Sequence, residues 1–118
     1  MPTDIFFNLG LGLILVHEMD AIRCKEWRIF PGLSLIKDDK IGFTVFTFVH
    51  IPLFYFVFHY LFMDDHMAFR IGLDYFFIIH LGLHILFLLH PKNEFKDWIS
   101  WTIIGGTATC GLLDILFA

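Results

Sequence analysis

Four long apolar stretches, separated by short polar segments, dominate the pattern of the chain. They lie near residues 4–23, 41–63, 69–90 and 97–117. Each is close to the roughly 20 mostly apolar residues that an α-helix needs to cross the hydrocarbon core of a bilayer. Pro31–Gly32 interrupts the first connection and Pro91 ends the third stretch, because proline cannot continue a helix. The pattern predicts a single domain, residues 1–118, with four membrane-spanning helices.

The connections between these stretches are short, and short connections make neighbouring helices antiparallel. We therefore expect an all-α integral membrane protein with the fold of an antiparallel, up-down four-helix transmembrane bundle. The composition agrees, because 58% of the 118 residues are hydrophobic, against about 45–50% in soluble domains. The net charge of −4 and the lack of a basic tract indicate no nucleic-acid partner. Cys24 and Cys110 fit no metal or redox spacing, so free thiols are expected.

The distribution of basic residues predicts the orientation of the bundle. Seven of the eight lysines and arginines fall at one end of the predicted helices, and only Arg70 falls at the other. By the positive-inside rule, the connections 24–40 and 91–97 should be cytoplasmic and both termini outside. The start of the chain has neither a basic region nor a small-residue cleavage site, so we expect a retained first helix.

Ionisable residues occur at similar depth in three of the four predicted helices. At 1.5 Å per residue, His17 and His84 lie roughly 10 Å from the cytoplasmic helix ends, and His50 and His80 about 15 Å. Glu18 and Asp20 join them from the first helix. Buried ionisable groups in a membrane are costly, and they normally face the bundle interior and a partner. A site shared by several helices is therefore expected near the cytoplasmic side.

The residue types at this level suit a metal or a cofactor. Zinc takes three or four nitrogen or oxygen ligands, so the expected metal ligands are His17, Asp20, His50, His80 and His84. Glu18 or Asp20 could also act as a catalytic base. Iron is less well provided for, because a two-iron site needs bridging carboxylates. Haem is another alternative, with His50 and either His80 or His84 as its axial ligands.

Three other groups of polar or small residues have weaker interpretations. The run Arg23, Lys25, Glu26 and Arg28 is typical of an interfacial anchor, although Glu26 could reach a substrate headgroup and either arginine could hold a phosphate. In the outer half, Asn8, His59, Asp74 and Asp114 suggest a hydrogen-bonded layer or, alternatively, a proton or ion path. Gly105–Gly106 gives the fourth helix a small face for close packing.

The stretch His17-Glu18-Met19-Asp20-Ala21, followed by Glu26-Trp27 in a chain of four spans, resembles small bacterial membrane proteins of the HXXEE kind. In this chain Asp20 stands where that motif has its first glutamate and Ala21 where it has the second. The resemblance implies an integral membrane protein of the bacterial inner membrane. It implies no particular reaction.

The sequence leaves three classes of function open. The first is an intramembrane metalloenzyme that hydrolyses, or less favourably oxidises, a lipid-like or other hydrophobic substrate. The second is a haem-binding electron-transfer or sensor subunit. The third is non-enzymatic: a subunit of a larger membrane complex, or an ion pathway that would have to be a homodimer. We favour the first because of the histidines at one depth.

Overall fold

The computed structural model describes residues 4–117, and this part of the chain folds into four long helices. These are α1 (Ile5–Arg23), α2 (Asp39–Leu61), α3 (Met67–Phe87) and α4 (Trp98–Phe117). All four are long and apolar enough to cross a membrane. The predicted all-α fold with four membrane-spanning helices is confirmed, and the helix ends lie within three residues of the predicted ones.

The largest difference is at the end of α3, which stops at Phe87 instead of continuing to His90. Residues 88–90 form tight hydrogen bonds to the carbonyls three residues earlier, directly before Pro91. At the same end of the bundle, Asp38 and Asp97 begin α2 and α4 as N-caps. We call this the basic end of the bundle, formed by residues 24–38 and 88–97.

Helix α4 is the centre of the bundle and packs along both α1 and α3. It lies very close to α3 at Gly111, where a β-carbon would be 2.7 Å from the carbonyl oxygen of Asp74. Gly10 of α1 also lies close to α4, where an added β-carbon would meet a side-chain carbon at 3.0 Å. The expected small face at Gly105–Gly106 contributes less, since only Gly106 faces a neighbour within 4 Å.

Helix α2 stands apart from the other three and is held mainly by its first half. Only Gly42 and Phe46 of this helix are buried. Both lie against Trp27, which belongs to a 3-10 turn, Glu26–Arg28, in the basic end. Because α2 is anchored at this one end, an apolar crevice of about 400 Å³ remains between α1 and α2.

A second polar layer lies toward the opposite end of the bundle. Arg70 of α3 donates hydrogen bonds from Nη2 and Nε to the carboxylate of Asp114 on α4, at 2.9 and 3.4 Å. Asp74 is buried beside this pair. Asn8 and His59, which the sequence also assigned to this layer, are exposed on the outside of the bundle. Nη1 of Arg70 also donates to Asp4 Oδ1, directly before α1, at 2.7 Å. The layer therefore joins α3 to α4 and to the start of α1.

Candidate metal centre

Three histidines meet in the core of the bundle, on the side of its basic end. His17 comes from α1, while His80 and His84 share one face of α3 because they are four residues apart. The ring centroids of His17 lie 4.4 Å from His80 and 4.8 Å from His84, and those of His80 and His84 are 4.5 Å apart. All three side chains are buried. We call them the histidine cluster.

Most ring nitrogens of the histidine cluster lack hydrogen bonds. The Nε2 atoms of His17 and His80 are 3.1 Å apart. In contrast, Nδ1 of both residues and both nitrogens of His84 are buried and find no partner within residues 4–117. Buried polar atoms are bonded in the great majority of cases, and each unsatisfied one costs about 1–3 kcal/mol. The cluster is therefore costly as a purely structural element.

The nitrogens of the histidine cluster lie close enough together to be candidate ligands of one metal ion. One ligand atom from each ring lies within 4.8 Å of the other two. With zinc–nitrogen bonds of about 2.0–2.1 Å, tetrahedral ligands are about 3.3 Å from one another. The 3.1 Å separation between His17 and His80 already matches this value. The remaining separations would have to shorten by up to about 1.5 Å to complete a tetrahedral set.

An aromatic lid covers the cluster at the basic end. Phe95 is fully buried, with its ring 5.5 Å from His17 and 4.6 Å from His84. Its position is fixed because its backbone nitrogen donates to Asn93 Oδ1 and its carbonyl oxygen accepts from Trp101 Nε1. The lid keeps the imidazoles in an apolar environment, where electrostatic interactions are strong.

Glu26 reaches the same cluster from the 3-10 turn that follows α1. Its carboxylate oxygens lie 3.8 Å from Nε2 of His17 and 3.8 Å from Nε2 of His84. Burial, assisted by the nearby carboxylates of Glu18 and Asp20, raises the pKa of Glu26 to about 8. From the sequence this residue was considered only as a headgroup contact. Glu26 lies in a short turn after α1, where no helical periodicity in the sequence could have predicted that its side chain points into the bundle.

His50 does not join the histidine cluster and pairs with Glu18. Its Nδ1 donates to the carbonyl oxygen of Phe46 at 2.6 Å, and its Nε2 lies 2.5 Å from Glu18 Oε2. Since a carbonyl oxygen only accepts, Nδ1 carries a hydrogen, and Nε2 is the nitrogen that pairs with Glu18. Both residues line the crevice between α1 and α2.

Asp20, expected as a ligand or base, is also directed elsewhere. It faces α4, where Ser100 Oγ donates to its Oδ2 at 2.6 Å, and Arg23 Nε donates to its Oδ1 at 2.7 Å. Consecutive helix positions differ by about 100° in direction. His17, Glu18 and Asp20 therefore face three different neighbours, namely α3, α2 and α4.

The two arginines proposed as phosphate contacts are held by carboxylates. Arg23 also donates to Asp97, at 2.9 Å. Arg28 bonds to Asp39 and to Glu94. These ion pairs connect the basic end of the bundle to the first turns of α2 and α4.

Comparison with known proteins identifies the family of the chain. No curated protein and no solved structure is significantly similar to it. The model of DUF6713, a family of unknown function, matches residues 3–118. Because this match covers almost the whole chain, the protein belongs to the DUF6713 family.

Proposed function

We propose that the protein is a membrane-embedded metal-binding protein whose zinc ion is held by His17, His80 and His84. The observation that carries this proposal is the set of buried imidazole nitrogens without a hydrogen-bond partner in the described chain. Neutral imidazoles are preferred zinc ligands, and a site with three of them is sufficient to hold the ion. Iron receives less support, because Glu18 and Asp20 are both engaged away from the cluster.

The test is the metal content of protein purified in detergent, followed by zinc titration of the stripped protein. We expect one zinc per chain in the wild type and loss of binding in His17→Ala, His80→Ala and His84→Ala. His59→Ala is the matched control, because His59 lies on the exposed side of α2 and should leave binding unchanged. A folded wild-type protein that binds no stoichiometric metal would remove the proposal.

Hydrolysis of a lipid-like substrate is the reaction we propose for this metal. Water would add across an ester or amide bond, giving an acid and an alcohol or amine. The supporting observation is the crevice between α1 and α2, whose volume of about 400 Å³ is typical of ligand pockets. Glu18 and His50 line this crevice and are the candidates for general base. The three cluster histidines do not line it, so the reaction also requires the helices to shift enough for a substrate in the crevice to reach the metal.

This reaction can be tested separately from metal binding. Zinc-loaded protein in mixed micelles would be assayed for release of fatty acid from a panel of lipid esters, with the chelated protein as reference. Glu18→Gln should lower the rate of release while the zinc content stays at wild-type level. Equal rates in the zinc-loaded and chelated protein would exclude zinc-dependent hydrolysis of these lipids.

A haem-binding role receives less support than zinc. The axial pair expected from the sequence included His50, and both nitrogens of His50 are already in hydrogen bonds. The distinguishing measurement is the visible spectrum of protein from haem-replete cells. A Soret band that disappears in His50→Ala or His80→Ala would favour haem.

A non-enzymatic role is favoured by a different observation. Arg70 and the buried residues Asp74 and Asp114 form a second polar layer, distinct from the histidine cluster. This layer would suit an ion or proton path in a homodimer, or a subunit contact in a larger membrane complex. Crosslinking in native membranes tests this role, because it predicts adducts larger than the monomer.

We also propose an orientation and a location for the bundle. The basic end would face the cytoplasm of a bacterial inner membrane, with both termini outside, because basic residues concentrate in cytoplasmic loops. Membrane lipid would then be the immediate partner of the exposed apolar faces, and the crevice would take its substrate from the cytoplasmic half of the bilayer. The resemblance to HXXEE-like proteins stays a prediction.

A further inference from the structure

We infer that Glu26 is the fourth ligand of the metal centre, so that a bound metal fastens the turn after α1 to both α1 and α3. This inference rests on the proposed function, because it assumes a metal at the histidine cluster. The ligands expected from the sequence were only histidines and the carboxylates of α1. A ligand from outside the membrane-spanning helices changes both the charge of the site and its connection to the rest of the bundle.

The direction of the Glu26 side chain is the first argument. Three basic residues lie near it in sequence, at positions 23, 25 and 28. Its carboxyl group nevertheless points inward, and each of its two oxygens lies 3.8 Å from an imidazole nitrogen, Nε2 of His17 and Nε2 of His84. These two contacts place one oxygen near each of two candidate ligand nitrogens, on the side of the cluster facing the basic end.

The backbone before Glu26 is the second argument. Lys25 adopts a left-handed conformation, with φ 53° and ψ 54°. This conformation is common for glycine after a helix but unfavourable for a residue with a β-carbon. The turn reverses the chain directly after α1 and brings Glu26 back beneath the helix. Strained backbone of this kind is concentrated at functional sites.

The charge of the site is the third argument. Zinc with three neutral imidazoles would leave two positive charges in a buried, partly aromatic environment. Uncompensated charge is unfavourable there. A carboxylate ligand from Glu26 would reduce the charge to one. Glu18 and Asp20 cannot take this part without giving up the hydrogen bonds described above.

The fourth ligand would link the metal to α2. Trp27, the next residue, packs against Gly42 and Phe46 of α2, and its indole nitrogen donates to Asp39 at 3.1 Å. Metal occupancy would therefore stabilise the position of α2, which forms one wall of the crevice. A zinc ion with four protein ligands has no open position for water. Hydrolysis would therefore require the ion to become five-coordinate when water binds.

Cobalt(II) is the probe for this inference, because its visible spectrum reports coordination geometry and it replaces zinc in nitrogen and oxygen sites. We compare wild type, Glu26→Gln and Glu26→Cys in detergent. Glu94→Gln and Glu94→Cys are the matched controls, since Glu94 is a glutamate of the same end that is exposed and bonded to Arg28. A thiolate at a ligand position adds an intense sulfur-to-cobalt charge-transfer band in the near ultraviolet.

Four results are expected if Glu26 is a ligand. Wild type shows a tetrahedral cobalt spectrum. Glu26→Gln weakens cobalt binding at least tenfold, because even the loss of a residue that only hydrogen-bonds to a metal ligand typically costs about 10–100-fold in affinity. Glu26→Cys gains the charge-transfer band, and both Glu94 variants resemble wild type. The inference is overturned if wild type binds cobalt, Glu26→Gln leaves spectrum and affinity unchanged, and Glu26→Cys shows no band. Failure of wild type to bind any cobalt or zinc would instead overturn the proposed function.

Discussion

Replacing His84 by leucine should stabilise the metal-free protein and abolish its response to zinc. His84 is 1% exposed, and neither of its ring nitrogens has a hydrogen-bond partner in the described chain. Leucine has a similar volume and carries no polar atom, so the variant removes two unsatisfied groups without leaving a large cavity. A residue retained for packing alone would respond in the opposite direction.

The magnitude follows from the number of unsatisfied atoms. An unsatisfied buried polar group costs about 1–3 kcal/mol, so two of them set an upper range of about 2–6 kcal/mol. The gain in a membrane protein should be smaller, because groups in the unfolded chain also find partners and interhelical hydrogen bonds average only about 0.6 kcal/mol. We therefore expect His84→Leu to raise the free energy of unfolding of the metal-free protein by about 1–3 kcal/mol.

Zinc should reverse this order. A ligand at about 1,000 times its dissociation constant stabilises the folded state by about 4.1 kcal/mol, which exceeds the gain of about 1–3 kcal/mol expected for the variant. Wild type should therefore equal or exceed the variant once zinc is added, while the variant gains nothing. The assay is unfolding in mixed micelles by titration with denaturing detergent, with chelator or with zinc. His59→Leu is the control, because the same change on the exposed side of α2 should alter neither curve.

Two results would refute the reasoning. If His84→Leu were less stable than wild type in chelator, the imidazole would be making favourable contacts that outweigh its unsatisfied nitrogens. If zinc stabilised wild type and His84→Leu equally, the ion would bind outside the histidine cluster. Either result would remove the energetic basis for the proposed centre.

Three further predictions concern the bundle itself. Gly111→Ala should destabilise it by about 1–3 kcal/mol through overpacking, because the new β-carbon would lie 2.7 Å from a backbone oxygen of α3. Gly105→Ala is the control, because its β-carbon would have no neighbour within 4 Å. It should be close to neutral in the same detergent titration. Hydrogen bonds from a neighbouring arginine lower the pKa of Asp97 to about 2. Since this pKa is depressed on folding, its stabilising contribution is present above about pH 4 and is lost toward pH 2, so the melting temperature should fall over this interval more in wild type than in Asp97→Asn. Finally, a thiol reagent that cannot cross the membrane should label Asp65→Cys in intact cells but Lys37→Cys only after permeabilisation; the reverse pattern would contradict the proposed orientation.

Much of the fold was accessible from the sequence because the bilayer imposes a simple rule. A segment must be apolar for about 20 residues and must satisfy its own backbone, so span number and approximate ends can be read from hydropathy. The end of α3 was less predictable, since the tight turn at residues 88–90 is as apolar as the helix before it. The small pair Gly105–Gly106 was a reasonable candidate for close packing, but the tightest contact is at Gly111 because of how α4 is rotated against α3.

The candidate site was only partly accessible in the same way. Depth along a helix follows from residue number, and it correctly drew attention to the level shared by His17, His80 and His84. Direction around the helix depends on which neighbour each helix has, and short loops do not specify that. His50 lies at similar depth by residue number, yet α2 stands away from α3 and His50 pairs with Glu18 across the crevice.

By itself the sequence determined four apolar helices, a strongly asymmetric distribution of basic residues, and histidines at one level, because these properties depend only on position along each helix. The tertiary structure decided which polar groups meet. The rotation of α1 sends His17 toward α3, Glu18 toward α2 and Asp20 toward α4. A left-handed turn at Lys25 brings Glu26 to the histidines. That contact depends on the packing of distant segments, which no local pattern of residues encodes.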